Sequence, residues 1–199
     1  MADFLNSILS QLSDGSIESM SQKINATPDQ TKEALNSAIP LLVSALAKNS
    51  NSPDGAASLQ SALERDHDGS ILDNISDLIS NPSIGNGQGI LKHVLGNKQD
   101  AAKNLLGEKT GLSSSAIGNI LEMAAPMVMG YLGRQTRSSS SGGGITDILS
   151  SMLGGQGGSS NQNQSLFNKL LDRDGDGSAV DDVAEMGMSF LGKLLRKKK

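Results

Sequence analysis

The sequence predicts an all-α fold: an internally duplicated helical bundle, then a Gly/Ser-rich linker and a C-terminal helix–loop–helix. Aromatic residues make up only 2% of the 199 residues, so the core has to be built from Leu, Ile, Ala, Val and Met, which suits helix-on-helix packing. Apolar residues recur at helical spacing along most of the chain. No segment shows sustained apolar–polar alternation with β-branched residues, so no sheet is expected.

The predicted helices of the bundle begin at recognisable signals. Thr27 is placed as the N-cap of a long helix, with Pro28 in its first turn and Gln30 three residues after the cap. Pro40 lies inside the apolar pattern of that helix and Pro126 inside that of a later helix, so both helices are expected to kink or divide there. Further helices are expected over 3–12, 16–24, 55–63, 70–80, 89–95 and 99–107.

An internal repeat relates two long helical segments. Residues 25–49 match residues 111–135 at an offset of 86, which aligns Pro40 with Pro126. The same alignment gives Ser113 the capping role in the second segment. A duplicated unit of this kind predicts two halves that pack against each other. The predicted bundle spans 1–137, with repeats of about 1–80 and 85–137.

The remainder of the chain divides into a linker and a tail. Residues 138–164 are rich in Ser, Gly, Asn and Gln, which predicts a flexible linker. Within it, apolar residues over 145–153 follow the spacing of a short amphipathic helix. The tail, 165–199, is predicted to form a helix–loop–helix whose helices cover 166–171 and 179–195.

A second repeat, at an offset of 108, concerns an acidic loop. Residues 63–75 recur as residues 171–183, and the second copy places five aspartates within eleven residues. Like charges at this density repel one another unless water or a cation neutralises them. An EF-hand loop has oxygen ligands at positions 1, 3, 5 and 7 and Gly at position 6. The residues at these positions are Asp172, Asp174, Asp176, Ser178 and Gly177.

The second loop departs from the EF-hand pattern at its end. Val183 stands where a bidentate Glu is expected, so Asp181 is the candidate closing ligand. We therefore expect a calcium site, with magnesium as the alternative ion, formed by Asp172, Asp174, Asp176, Ser178 and Asp181.

A metal-free interpretation exists for both loops. Ser178 with Asp181, and Ser70 with Asp73, each form an S-x-x-D pattern close to a capping box. This interpretation leaves the acidic residues at the start of the second loop unexplained. In the first loop Glu64 replaces the leading Asp and the acidic residues are fewer, so a helix end followed by a helix start is the better account there.

The composition favours a non-enzymatic binding or structural protein. The chain has no cysteine, no paired metal-ligand spacing around His67 and His93, and no G-x-S-x-G motif, so no catalytic residue is predicted. His93 is expected to be partly buried on a helix. The apolar stretch 38–47 is too short to span a bilayer and the N-terminus lacks signal-peptide features. A cytoplasmic protein is expected, with an unknown protein partner or self-association.

A nucleic-acid-binding function is the alternative prediction. Residues 110–122 read as the turn and second helix of a helix-turn-helix, in which Ser113, Ser114, Gly118 and Asn119 could reach bases. Few basic residues lie nearby, and the net charge of the chain is −4. A capped helix that packs into the core is therefore favoured over a base-reading helix.

Three segments together resemble a known bacterial family. Residues 67–74 (HDGSILDN), 89–96 (GILKHVLG) and 125–135 (APMVMGYLGRQ) are similar to the characteristic segments of the YidB-like family, domain of unknown function 937. The resemblance covers about 1–135. It implies an all-helical fold and a bacterial source, and it carries no established activity, so it implies no functional residues.

Overall fold

The computed structural model describes residues 2–138 and 144–154, which form helices joined by short turns, with no strand among them. The predicted all-α fold is confirmed. Three 3₁₀ turns lie at Ser70–Asn74, Pro82–Gly85 and Gly96–Lys98. The α-helices are α1 (Ala2–Leu9), α2 (Asp14–Ile24), α3 (Pro28–Asn49), α4 (Pro53–Arg65), α5 (Ile75–Ser80), α6 (Gly87–Val94), α7 (Gln99–Thr110), α8 (Ser114–Ser138) and α9 (Ile145–Gly154). In these two ranges, no helix has the length and apolar character needed to cross a membrane.

The two longest helices, α3 and α8, pack against each other at the centre of the molecule. Thr27 and Gln30 form the predicted capping box at the start of α3. Each helix contains a buried proline and continues through it as one helix, so the predicted division is not found. An internal proline removes one backbone hydrogen bond and costs about 3 kcal/mol. Burial of the neighbouring residues on both sides of Pro40 and Pro126 offsets that cost.

Four pairs of positions that the sequence repeat aligns are buried in both helices. Leu35 and its counterpart Leu121 are both completely buried. Removal of a leucine side chain at such a site costs about 2–5 kcal/mol. The other aligned pairs are also buried: Ala38 with Ala124, Pro40 with Pro126, and Leu46 with Leu132. The duplication itself stays a prediction.

Shorter helices surround the central pair. The Phe4 ring of α1 meets the Tyr131 ring of α8 edge to face, with centroids 4.9 Å apart. Lys23 of α2 donates from Nζ to the carbonyl oxygens of Ile79 (2.7 Å) and Ser80 (2.9 Å), which satisfies acceptors at the end of α5. These contacts fix α1, α2 and α5 on the core.

The amphipathic helix predicted over 145–153 is present as α9. Its buried residues Ile145, Leu149 and Met152 follow helical spacing, and α9 packs on α3, α4 and α8. This part of the predicted linker therefore lies against the bundle. The rest of the predicted linker (139–143 and 155–164) and the predicted tail (165–199) lie outside the described residues.

The prediction of a single helix over 70–80 is wrong. The chain instead forms the 3₁₀ turn Ser70–Asn74 and then α5, because Asn74 (φ −127°, ψ 44°) leaves the helical region between them. The 3₁₀ turn packs against α8, so the segment that is not α-helical is the one in tertiary contact with that helix.

Candidate functional site

The predicted metal ligands belong to the second acidic loop. Asp172, Asp174, Asp176, Ser178 and Asp181 all lie outside the described residues. The first copy of the loop, 63–75, is described in full. The structure therefore shows how the first loop is built and which protein groups pair with its carboxylates.

The first acidic loop is a helix end followed by a tight turn. Helix α4 ends at Arg65, with Asp66 as its C-cap. Gly69 then adopts φ +96°, a conformation that is favourable only for glycine. The Asp68 side chain accepts a hydrogen bond from the backbone N–H of Ser70 at 2.9 Å, which closes an Asx-turn before the 3₁₀ turn. The helix end and the turn of the metal-free account are present, but its capping box is not: Gly69 precedes the 3₁₀ turn, no side chain caps it, and Asp73 pairs with Arg134.

Arginine side chains of α8 neutralise the carboxylates of the first loop. Arg134 Nη2 donates to Asp73 Oδ1 at 2.7 Å. Arg137, one turn further along α8, lies 3.7 Å from Asp68 Oδ2. Hydrogen bonds from the hydroxyl and the backbone N–H of Ser70 lower the pKa of Asp68, and Arg137 lowers it further. Protein groups therefore favour the charged form of Asp68 and supply an ion-pair partner to Asp73.

The remaining acidic residues of this loop do not converge on a common point. Asp66 pairs with Arg65 at 3.2 Å, and Glu64 accepts a hydrogen bond from Gln60 Nε2 at 2.9 Å. Across 2–138 and 144–154, no group of three or more His, Cys, Asp or Glu side chains is arranged to hold a metal ion.

Glycines on α8 allow the loop to approach the helix closely. A Cβ at Gly133 would overlap the carbonyl oxygen of His67, and one at Gly130 would lie 2.7 Å from Cγ2 of Ile71. With Arg134 and Arg137, these glycines form one face of α8 at i, i+3, i+4 and i+7. Sequence reasoning missed this face. The available signal was the pair of glycines three residues apart in a long helix, where each costs about 1 kcal/mol in propensity.

A groove of about 590 Å³ lies beside the first acidic loop, lined by α3, α4, α6 and α8. Leucine, isoleucine, valine and methionine side chains form its apolar part: Leu46, Leu59, Ile90, Val94 and Met129. This volume is within the range of ligand-binding sites. The groove combines residues from three separate segments of the chain (46–67, 86–94 and Met129), so no local sequence pattern predicted it.

The two histidines of the chain both line this groove. His67 is half-buried, and desolvation lowers its pKa while the charge of Asp66 opposes that shift. His93 lies on α6, as expected, but it is exposed, so the prediction of partial burial is wrong. Its Nδ1 lies 2.8 Å from the carbonyl oxygen of Gly89. Asn49 donates to the carbonyl oxygens of His93 and Val94 and thereby joins α3 to α6.

The segment predicted to resemble a helix-turn-helix consists of α7, a short turn and α8. Gly111 (φ +71°) ends α7, and Ser113 Oγ accepts a hydrogen bond from Ala116 N at 3.2 Å as α8 begins. Ser113, Ser114 and Asn119 are exposed, while Gly118 is partly buried beside the Lys103 side chain. A second cavity of about 660 Å³ adjoins this segment, and Lys92, Lys103 and Glu122 are among its lining residues.

The sequence profile of bacterial proteins of unknown function DUF937 matches residues 6–135. The chain belongs to this family. The DUF937 region includes the first acidic loop, the groove and the glycine–arginine face of α8 up to Arg134, and it stops before α9 and the second acidic loop. Comparisons with curated proteins and with solved structures gave no match.

Proposed function

We propose that this DUF937 protein is a non-enzymatic, cytoplasmic calcium-binding protein whose second acidic loop binds the ion. Asp172, Asp174, Asp176 and Asp181 would supply carboxylate ligands, and Ser178 its carbonyl oxygen. Bound calcium would order the helices on either side of the loop. Their apolar faces would then pack on the bundle or on a partner protein.

The arginine partners of the first loop are the observation that supports this proposal. There Asp73 and Asp68 each have an arginine from α8. The second loop contains more carboxylates in the same length, and Arg173 is its only basic residue. A hard divalent cation would supply the positive charge that arginines supply to the first loop.

Calorimetric titration of calcium into the metal-free full chain tests the proposal. We expect binding at about one site, and no binding in the variant Asp174→Asn/Asp176→Asn. A magnesium titration under the same conditions identifies the preferred ion, which matters because resting cytosolic calcium is low. Absence of binding of either ion at millimolar concentration would overturn the proposal and leave the second loop as a helix cap.

Nucleic-acid binding is a second candidate function, supported by the exposed start of α8. Ser114 and Asn119 are exposed there, and Lys92 and Lys103 line the adjoining cavity. The acidic residues Glu122 and Asp100 lie beside these lysines, and Asp100 pairs with Lys103 at 3.2 Å. Fluorescence anisotropy of a labelled duplex at two salt concentrations tests this function. Salt-sensitive binding that the substitution Lys92→Glu weakens would support it, and no binding at low salt would exclude it.

A further inference from the structure

Helix α9 is held on the bundle by apolar side chains. Four residues of one helix face, at i, i+3, i+4 and i+7, pack into the core or against it: Ile145, Ile148, Leu149 and Met152. The side-chain hydrogen bond that Ser151 donates stays within α9. Among the described residues, no hydrogen bond or ion pair joins α9 to another helix. The attachment of α9 therefore depends on the spacing of its apolar residues.

Other contacts between distant segments of the bundle include specific polar links. Lys23 joins α2 to α5, Asn49 joins α3 to α6, and Arg134 joins α8 to the first acidic loop. Each of these links requires one donor opposite one acceptor. An apolar surface between helices instead accepts any helix whose apolar residues have the matching spacing. The surface under α9, which is formed by α3, α4 and α8, is of this second kind.

The surface under α9 belongs to the DUF937 region, whereas α9 does not. The family profile covers α3 and α4 in full and α8 as far as residue 135. It ends before Ile145, where α9 begins. The sequence between α8 and α9, residues 139–144, consists of three serines and three glycines and so adds no apolar residue. A segment from outside the family region therefore covers an apolar surface of the family region.

We propose that the surface under α9 is a helix-binding site of the DUF937 bundle, and that α9 occupies it as a ligand from the same chain. The partner that fits this site is a protein that presents an amphipathic helix with apolar residues at i, i+3, i+4 and i+7. Helix α9 has only ten residues, and an isolated helix of that length is marginally stable in water. A partner helix in the site would therefore remove the packing that keeps α9 helical. This proposal does not depend on calcium.

Displacement of α9 in the full chain tests the proposal. The chain has no cysteine, so Ser150→Cys places a single nitroxide label on the exposed side of α9. The competitor is a synthetic peptide with the sequence of residues 144–154. The matched control peptide carries Leu149→Asp, since Leu149 is buried in the docked helix. Electron paramagnetic resonance measures the mobility of the label in a buffer with chelator. A label at Ser76→Cys, exposed on α5, reports on the rest of the bundle.

We expect the competitor peptide to mobilise the label on α9 and the control peptide to leave it unchanged. A short tether gives α9 an effective concentration on the order of millimolar, so a peptide of equal affinity should displace half of it at about that concentration. The further substitution Met152→Ala removes a buried side chain from the tethered helix and leaves the site unaltered. Half-displacement should then need at least about tenfold less peptide.

Two results would overturn the proposal directly. A label on α9 that stays immobile with the competitor peptide, with and without Met152→Ala, would make α9 a fixed part of the bundle. Equal effects of the two peptides, or mobilisation of the label at Ser76→Cys, would mean that the peptide loosens the fold instead of occupying a site.

Light scattering on the same samples distinguishes a tethered ligand from exchange between two chains. A monomer with and without peptide is the expected result. A dimer that the competitor peptide converts into a monomer would show that α9 of a second copy fills the site, and it would overturn occupation within one chain.

Discussion

Arg134 of α8 and Asp73 of the first acidic loop are 61 residues apart in the chain and form an ion pair of 2.7 Å. The arginine side chain lies over Gly69, where any Cβ would overlap it. One residue thus neutralises a carboxylate of the loop and covers the backbone of its tightest turn. Arg137 repeats the electrostatic part of this arrangement one turn later, at Asp68. Two arginine side chains of α8 therefore hold the first loop to this helix, in addition to the close approach at Gly133.

The Arg134→Ala variant should lower the free energy of unfolding by about 1 kcal/mol. This value is at the upper end of the range for partly exposed ion pairs, because the substitution also removes the packing of the side chain over Gly69. Urea unfolding followed by circular dichroism measures the change. The matched control is Arg65→Ala: this arginine is more exposed than Arg134 and pairs only with the adjacent Asp66, so it should contribute less than about 0.5 kcal/mol. Equal losses in the two variants would show that the long-range pair has no special role.

Gly133 should tolerate no side chain, because a Cβ there would overlap the carbonyl oxygen of His67. We expect Gly133→Ala to cost about 2–3 kcal/mol, since backbone has to move to relieve the overlap. Gly118→Ala on the same helix is the control. A Cβ there meets only the flexible Lys103 side chain, at 3.6 Å. That substitution should stabilise the protein by up to about 1 kcal/mol through helix propensity. Thermal unfolding measures the Tm of both variants. Similar Tm shifts in the two would contradict the close approach of the loop to Gly133.

The sequence predicted those features that depend on neighbouring residues. The cap at Thr27, the start of α8 after Ser113 and the apolar spacing of α9 are local signals, and all three are present. The approach of Gly133 to the first loop joins segments that are distant in the chain, and so does the groove between Leu59 and Ile90. Their formation depends on tertiary packing, which periodicity does not encode. The 3₁₀ turn after Gly69 was missed for the same reason, since it lies against α8.

The pKa of His67 predicts a loss of stability in mild acid. Burial lowers this pKa in the folded protein below its ordinary value of 6.5, so the unfolded chain binds the proton more readily. The contribution of neutral His67 to stability is complete above pH 6.5 and decreases as the pH falls through 6.5 towards the lowered value. Urea unfolding between pH 7.5 and about 5 measures it. The His67→Gln variant should lack this part of the pH dependence, and an unchanged profile in that variant would assign it to another group.

The first acidic loop should contribute nothing to calcium binding. Its carboxylates Asp68 and Asp73 already pair with Arg137 and Arg134, and Asp66 pairs with its neighbour Arg65. Calorimetry of the Asp66→Asn/Asp68→Asn variant should therefore give the same stoichiometry and heat as the unsubstituted chain. The comparison variant is Asp174→Asn/Asp176→Asn, which alters the corresponding residues of the second loop and should abolish binding. A stoichiometry of about two that falls to one in the first variant would mean that calcium displaces the arginines from the first loop.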